Sequence, residues 1–336
     1  MQAVRTIEGE LDRPPTSHRI ITLLAVVIPP LGILTVITTL WGVAVGPIDL
    51  ILFALFYLIP GLGITVGFHR YFTHRSFETS RPFKAVLAVL GSMTSQGPVC
   101  QWVSDHRKHH AHSDVEGDPH SPHVGSGAGI MGVLRGFWHS HVGWLFRTKG
   151  LVVRTKYGRD LLEDTIIRNV DRLYFVWVAL GFVVPFAVGF LLDGFRGGVE
   201  ATVWGGLVRI AIFQHITWSV NSICHMFGRR DFDVRDESRN NWVLALPSLG
   251  EAWHNNHHAF PSSAVHGLGK RQFDLSALVI RGLEKAGIVW DVKVPDVTSQ
   301  TRRRATADTG GQFAPPRVSG GAPGVEPWSA VDRESV

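Results

Sequence analysis

The sequence predicts an all-α membrane protein, with four transmembrane helices and a cytosolic helical cap that holds a histidine-ligated di-metal site. Three observations carry this reading. Four apolar runs are each long enough to cross ~30 Å of hydrocarbon as a helix. Three histidine clusters recur at helical spacing, each placed after an apolar run or a polar segment that shares its side. Nearly all Arg and Lys fall in the segments that a four-span count puts on one side, as the positive-inside rule requires.

Composition agrees. Of 336 residues 45% are apolar, with 11 Trp and 19 Phe, and the mean hydropathy is +0.12, which shifts a chain of this length from two soluble domains towards a membrane protein. Only Cys100 and Cys224 are present, one beside a candidate ligand in an apolar run, so a disulfide framework is not expected. The formal charge of +5 is accounted for by topology and anionic lipid, with no need for nucleic acid.

Residues 1–19 read as a cytosolic tail carrying Arg5, Arg13 and Arg19, without a signal-peptide cleavage site. The first span is expected at 20–41, kinked by Pro29-Pro30. The second, 48–68, ends directly at His69. The stretch 83–103 is long enough to span, but its second half is polar, and one crossing there would put His74 and His106 on opposite sides. It is therefore expected to lie at the interface. Residues 69–172 and 225–296 form the cap, and spans at 173–192 and 201–224 flank a short outer turn. The whole 20–296 stretch reads as one domain, and 297–336, rich in Gly, Pro, Ser and Ala, as a disordered tail.

His106, His109 and His110 form one HxxHH group, and His254, His257 and His258 another. Positions i, i+3 and i+4 project from one helix face, so three imidazoles can converge on a metal. His69 and His74 stand five apart, about 140° around an ideal helix, so both face one metal only if the helix unwinds or bends at its mouth. Asn221 and His225 add a pair on one face of the fourth span. Nine imidazoles exceed the needs of one ion, and two metals with four or five ligands each fit better. A pair of irons exposed to O₂ at a lipid surface is the chemically useful version. Asp105, Asp114, Glu116, Asp118 and Glu251 are candidates to hold the far nitrogens of the ligands.

These residues resemble a known family. HRYFTH at 69–74, DHRKHH at 105–110, NSICH at 221–225 and GEAWHNNHH at 250–258, with DPHSP at 118–122, SHVGW at 140–144 and RNNW at 239–242, are similar to the membrane-bound fatty acyl desaturases of the stearoyl-CoA, delta-9 type, especially bacterial members. The likeness runs over roughly residues 50–270.

The resemblance implies a bent acyl tunnel beside two Fe ions, with O₂ as co-substrate and a cis double bond, at C9–C10, as product. By position the ligands would be His69, His74, His106, His109, His110, His225, His254, His257 and His258, with Asn221 acting through water. Trp218 would lie near the substrate and Asp105 near its polar end. Gly61, Ile64 and Thr65 would line the deep end that sets chain length. Arg147 and Lys149 are candidate phosphate partners. The family's animal acyl-CoA members commonly carry arginine two residues before the second box, where this chain has Ser104. Acyl-CoA and acyl-lipid substrates both stand. Electrons would come from an external donor, a ferredoxin or a cytochrome b5-like protein with its reductase. The implied location is a bacterial cell membrane, multi-pass, with active site and both termini cytoplasmic.

Three other readings compete. A lipid or alkane hydroxylase would share the metal architecture and give an alcohol. A zinc-dependent membrane hydrolase would hold zinc and consume no oxygen. A metal transporter would need ligands along a path at mid-membrane, whereas these clusters follow the apolar runs.

Overall fold

The computed structural model describes residues 16–35, 46–147 and 150–304. The tail at 1–15, the end of the expected first span, Lys149 and residues 305–336 lie outside the described residues. The fold is helical, with one two-stranded ribbon in which Glu78 pairs Trp290 and Thr79 pairs Val289.

Helix α1, Thr16–Thr35, contains Pro29 and Pro30 within its length. Helix α2, Pro47–Leu62, starts with Pro at its first position and Asp49 accepting from the Gly46 N–H. It continues without interruption as a π-helix over Gly63–Thr73. Together Pro47–Thr73 is long and apolar enough to cross a membrane. The second such segment, Tyr174–His225, is folded back on itself.

The stretch expected to lie at the interface is two helices, Arg81–Ser92 and Val99–His112. They are separated by a turn with Ser95 at φ 60° and Gly97 at φ 106°, a left-handed conformation that no continuing helix allows. Neither helix alone is long enough to span. The cap region expected only as polar chain is ordered into Gly129–His141, a 3₁₀ turn at Gly143–Phe146, and short helices at Gly150–Tyr157, Arg159–Glu163 and Thr165–Arg172. Asp164 caps the last by accepting from the Ile166 and Ile167 N–H groups.

Helix α3, Tyr174–Thr202, reverses at Asp193 and Gly194, whose φ of 60° and ψ of −154° only glycine adopts without strain. After the reversal Gly197 lies against Gly189, Gly198 against Phe186, and Gly206 against Phe182, so the two arms run antiparallel in close contact. The returning arm passes through a π-helix, Val203–Val208, into α4, Arg209–Ser222, and ends in a 3₁₀ turn at Ile223–His225. Arg209 is buried in the hairpin and donates to the carbonyls of Gly205, Met93 and Gly181. The outer faces of α1, α2 and α3 expose Leu, Ile, Val and Phe over an area that a soluble monomer does not leave open.

The core joins the end of α2 to the cap: Phe68, Phe77, Val99, Val103, Ile167 and Ile280 are fully buried together. Beyond residue 296, where the sequence predicted disorder, Val297–Arg303 is a short helix. Asp296 supplies the order by accepting from the Ser299 N–H at 2.7 Å, a cap signal at the edge of a compositionally biased stretch.

Candidate metal centre

The π-helix answers the problem of His69 and His74. Hydrogen bonds from i to i+5 widen each turn, so residues five apart come into line. The His74 N–H donates to the His69 carbonyl at 3.2 Å, and the Thr73 hydroxyl donates to the Phe68 carbonyl at 2.8 Å. The two imidazole rings then face one another 5.0 Å apart.

Val99–His112 projects His106, His109 and His110 towards this pair, and the short helix His254–Ala259 brings His254, His257 and His258 from the other side. His225 reaches in from the end of α4. The nine imidazoles divide into two groups: His69, His74, His106, His110 and His257, and then His109, His225, His254 and His258. Asn221 lines the adjoining cavity, as does Trp218.

Within the groups the Nε2 atoms converge. His69 and His257 lie 3.1 Å apart by Nε2, His257 and His110 2.9 Å, His110 and His106 3.1 Å, His225 and His254 3.0 Å, and His109 and His258 3.4 Å. A metal–nitrogen bond of about 2.0–2.1 Å sets neighbouring ligand atoms about 2.9–3.4 Å apart in tetrahedral to octahedral sites. One pair favours a cation over an ordinary hydrogen-bonded cluster. His109 Nδ1 faces Asp118 at 3.1 Å and His258 Nδ1 faces Asp236 at 2.8 Å. A carboxylate only accepts, so both rings carry a proton on Nδ1, and in the neutral tautomer this leaves a bare lone pair on the inward Nε2. Two lone pairs at 3.4 Å repel unless a cation lies between them. The buried His74 Nε2 likewise has no hydrogen-bond partner among the described residues.

Each carboxylate is itself held. Asp118 accepts from the Asp114 and His120 N–H groups, and Asp114 accepts from Ser121 Oγ, the Glu237 N–H and His225 Nδ1. Glu251 meets His69 Nδ1 on one oxygen and Arg70 on the other, while Arg70 also pairs with Asp274. Burial alone would raise these acids, but the facing imidazoles hold Asp114, Asp118 and Asp236 well below the usual carboxylate range, and His69 and Arg70 lower Glu251. Burial, with crowding by neighbouring imidazoles, holds His74, His106, His110, His254 and His257 far below the ordinary histidine value. Five of the nine imidazoles are thus held towards their neutral form beside carboxylates held ionised, a donor set that suits a cation.

Against the five-histidine group runs a cavity of about 530 Å³, touched by His69, His106 and His254 and bounded by Ile64, Thr65, Trp102 and Phe213. Asp105 lines it and accepts from Gln101 Nε2 at 2.9 Å. Two of the expected substrate contacts do not. Gly61 faces Phe213 and Leu249, one layer behind the wall, and Arg147 is exposed at the end of the Gly143–Phe146 turn. The guanidiniums that do line the cavity are Arg154, paired with Asp171, and Arg172. Asp236 and the buried His266, whose ring lies 4.5 Å from His257, were not singled out by sequence as part of the centre.

The profile described as fatty acid desaturase matches residues 39–275. The chain belongs to the fatty acid desaturase family. The family assignment makes this chain an oxidoreductase of lipid metabolism. A hex-5-enoyl-(acyl-carrier protein) acetylenase of Moorena producens is 45% identical over 80% of this chain and 84% of its own length. An sn-1 stearoyl-lipid 9-desaturase of Anabaena variabilis is 39% identical over 72% and 82%, and a delta-9 acyl-lipid desaturase of Arabidopsis thaliana 41% over 74% and 76%. The desaturase thus combines a family-typical histidine pattern with two candidate membrane-crossing segments, one of which is a hairpin.

Proposed function

We propose that the protein inserts a cis double bond, at C9–C10, into a long-chain saturated acyl group carried by a membrane lipid or by coenzyme A. The supporting observation is the convergence of His109 and His258 Nε2, 3.4 Å apart, beside a largely apolar cavity. His69, His74, His106, His110 and His257 would hold one iron, and His109, His225, His254 and His258 the other, with Asn221 acting through water. When bound, the two irons would supply the oxidising power of O₂. In balance, –CH₂–CH₂– with O₂, two electrons and two protons gives –CH=CH– and two waters.

An unactivated methylene has no acidic proton, so no side chain serves as acid or base for it. The chain's contribution is position and dryness. Ile64, Trp102 and Phe213 confine the acyl chain and exclude water from the oxidant. Asp105 and Gln101 offer polar contacts at the cavity wall. Four spans, α1, α2 and the two arms of the hairpin, would put the centre just inside a bacterial cell membrane with both termini cytoplasmic. Electrons would come from a ferredoxin or cytochrome b5-like donor drawn to the basic cap.

A second reading rests on the acetylenase relative: the same site could take two further hydrogens from an alkene already in place. Supplying purified protein with stearoyl-lipid, stearoyl-CoA and their cis-9 counterparts under one reducing system separates the cases. An alkene from the saturated substrates supports desaturation. An alkyne from the unsaturated ones, with saturated chains untouched, favours the second reading. An alcohol from either substrate overturns both.

A further inference from the structure

Four carboxylates back the nine imidazoles, and they are unequally shared. In the four-histidine group three rings are held through Nδ1 by acids: His225 by Asp114 at 2.8 Å, His109 by Asp118 at 3.1 Å and His258 by Asp236 at 2.8 Å. Among the described residues no Arg or Lys pairs with any of these three acids, and all three are shielded from solvent. The five-histidine group has one acid behind it, Glu251 on His69, and that carboxylate is spent largely on the fully buried Arg70. Among the described residues the outer nitrogen of His257 has no hydrogen-bond partner, and of the four-histidine group the same holds only for His254.

An acid that accepts from Nδ1–H pushes electron density through the ring to Nε2 and makes it a stronger donor. Negative charge close by, in a site closed to water, also favours the more highly charged state of a bound ion. Both effects act on one group far more than on the other. Resting on the two-iron reading above, we infer that the centre is unequal by construction: Asp114, Asp118 and Asp236 are positioning residues that hold the iron of His109, His225, His254 and His258 at the lower reduction potential, while the iron of the five-histidine group, beside Arg70, is reduced first.

The inequality makes the one-electron-reduced pair a stable state. A pair of equal, independent potentials would give the half-reduced centre no more than its statistical share. Donors of the kind proposed deliver electrons singly, so the protein would hold the first until the second arrives.

The experiment is a stepwise reductive titration of the two-iron protein, followed by low-temperature electron paramagnetic resonance and Mössbauer spectroscopy, with no substrate turnover involved. The wild type passes through a mixed-valent signal over a defined window of potential. Asp236→Asn and Asp114→Asn raise the lower potential and narrow that window. Glu251→Gln raises the higher one and widens it. Asp236→Glu, which keeps the charge, restores the wild-type window and guards against a merely structural effect. Absence of a mixed-valent species in the wild type, or the same direction of change for the Asp and Glu variants, overturns the inference. If Asp→Asn variants do not load, Glu251→Gln still decides it, since an unchanged or narrower window in that variant overturns the inference. A protein that never binds two irons per chain would instead sink the underlying reading.

Discussion

His69 and His74 are five residues apart in the chain and 5.0 Å apart between ring centroids, because the apolar helix that carries them ends as a π-helix. The widened turn needs room, and glycines provide it. A Cβ at Gly63 would lie 2.1 Å from the Gly91 nitrogen and 2.4 Å from the Leu90 carbonyl carbon, both backbone atoms.

Gly63→Ala is therefore expected to destabilise the protein by about 1–3 kcal/mol or more, as overpacking does when backbone must shift, and to lower metal content. Gly67→Ala, where the nearest atoms are 3.1 Å away on Leu87, should cost less. Thermal unfolding in detergent ranks the two, and equal midpoints would contradict the packing argument.

Arg70 is wholly buried between Glu251 and Asp274 and also donates to the Ala264 carbonyl. Arg70→Met leaves two buried acids without a cation, which costs about 3–5 kcal/mol. Arg70→Lys recovers little, since one ammonium cannot replace the forked contacts. A midpoint for Arg70→Met close to wild type would show that the two acids are not ionised together.

The metal-free protein should weaken as pH falls. Folding lowers the proton affinity of His74, His106, His110, His254 and His257, so the unfolded chain takes up protons first, and stability is lost from about pH 6.5 downward. The buried acids Asp114, Asp118 and Asp236 are held low in the fold, so their contribution is lost in a second step below about pH 4. Unfolding midpoints should decline from about pH 6.5 to 5, and a flat profile there would mean these imidazoles are not buried neutral.

Chain-length preference tests the cavity wall. Gly61 stands behind Phe213, with a Cβ site 2.8 Å from the ring, and Phe213 lines the cavity. Gly61→Trp is expected to press Phe213 inward and shift product towards shorter acyl chains. Unchanged product lengths would separate Gly61 from the acyl site.

Much of the centre was legible because the HxxHH groups and the Asn221–His225 pair are local patterns on single helices. The His69–His74 offset announced a departure from the α-helix without saying which. What remained hidden depends on long-range closure. Asp236 reaches His258 across 22 residues of irregular chain, with no spacing rule to mark it. Arg154 lines the cavity because its helix folds back onto Val99–His112, whereas Arg147, nearer to the SHVGW motif, turns outward. The stretch at 83–103, expected to lie at the interface, is two short helices, and its break at Ser95 to Gly97 rests on backbone geometry that polar composition alone does not specify.

The most direct test of the account is to measure metal content and lipid product together, in protein purified from a host lacking its own desaturase. Two irons per chain, with oxygen-dependent formation of a cis alkene that His257→Ala and His254→Ala each abolish, is the expected result. Zinc without oxygen consumption, or an alcohol in place of the alkene, would contradict it.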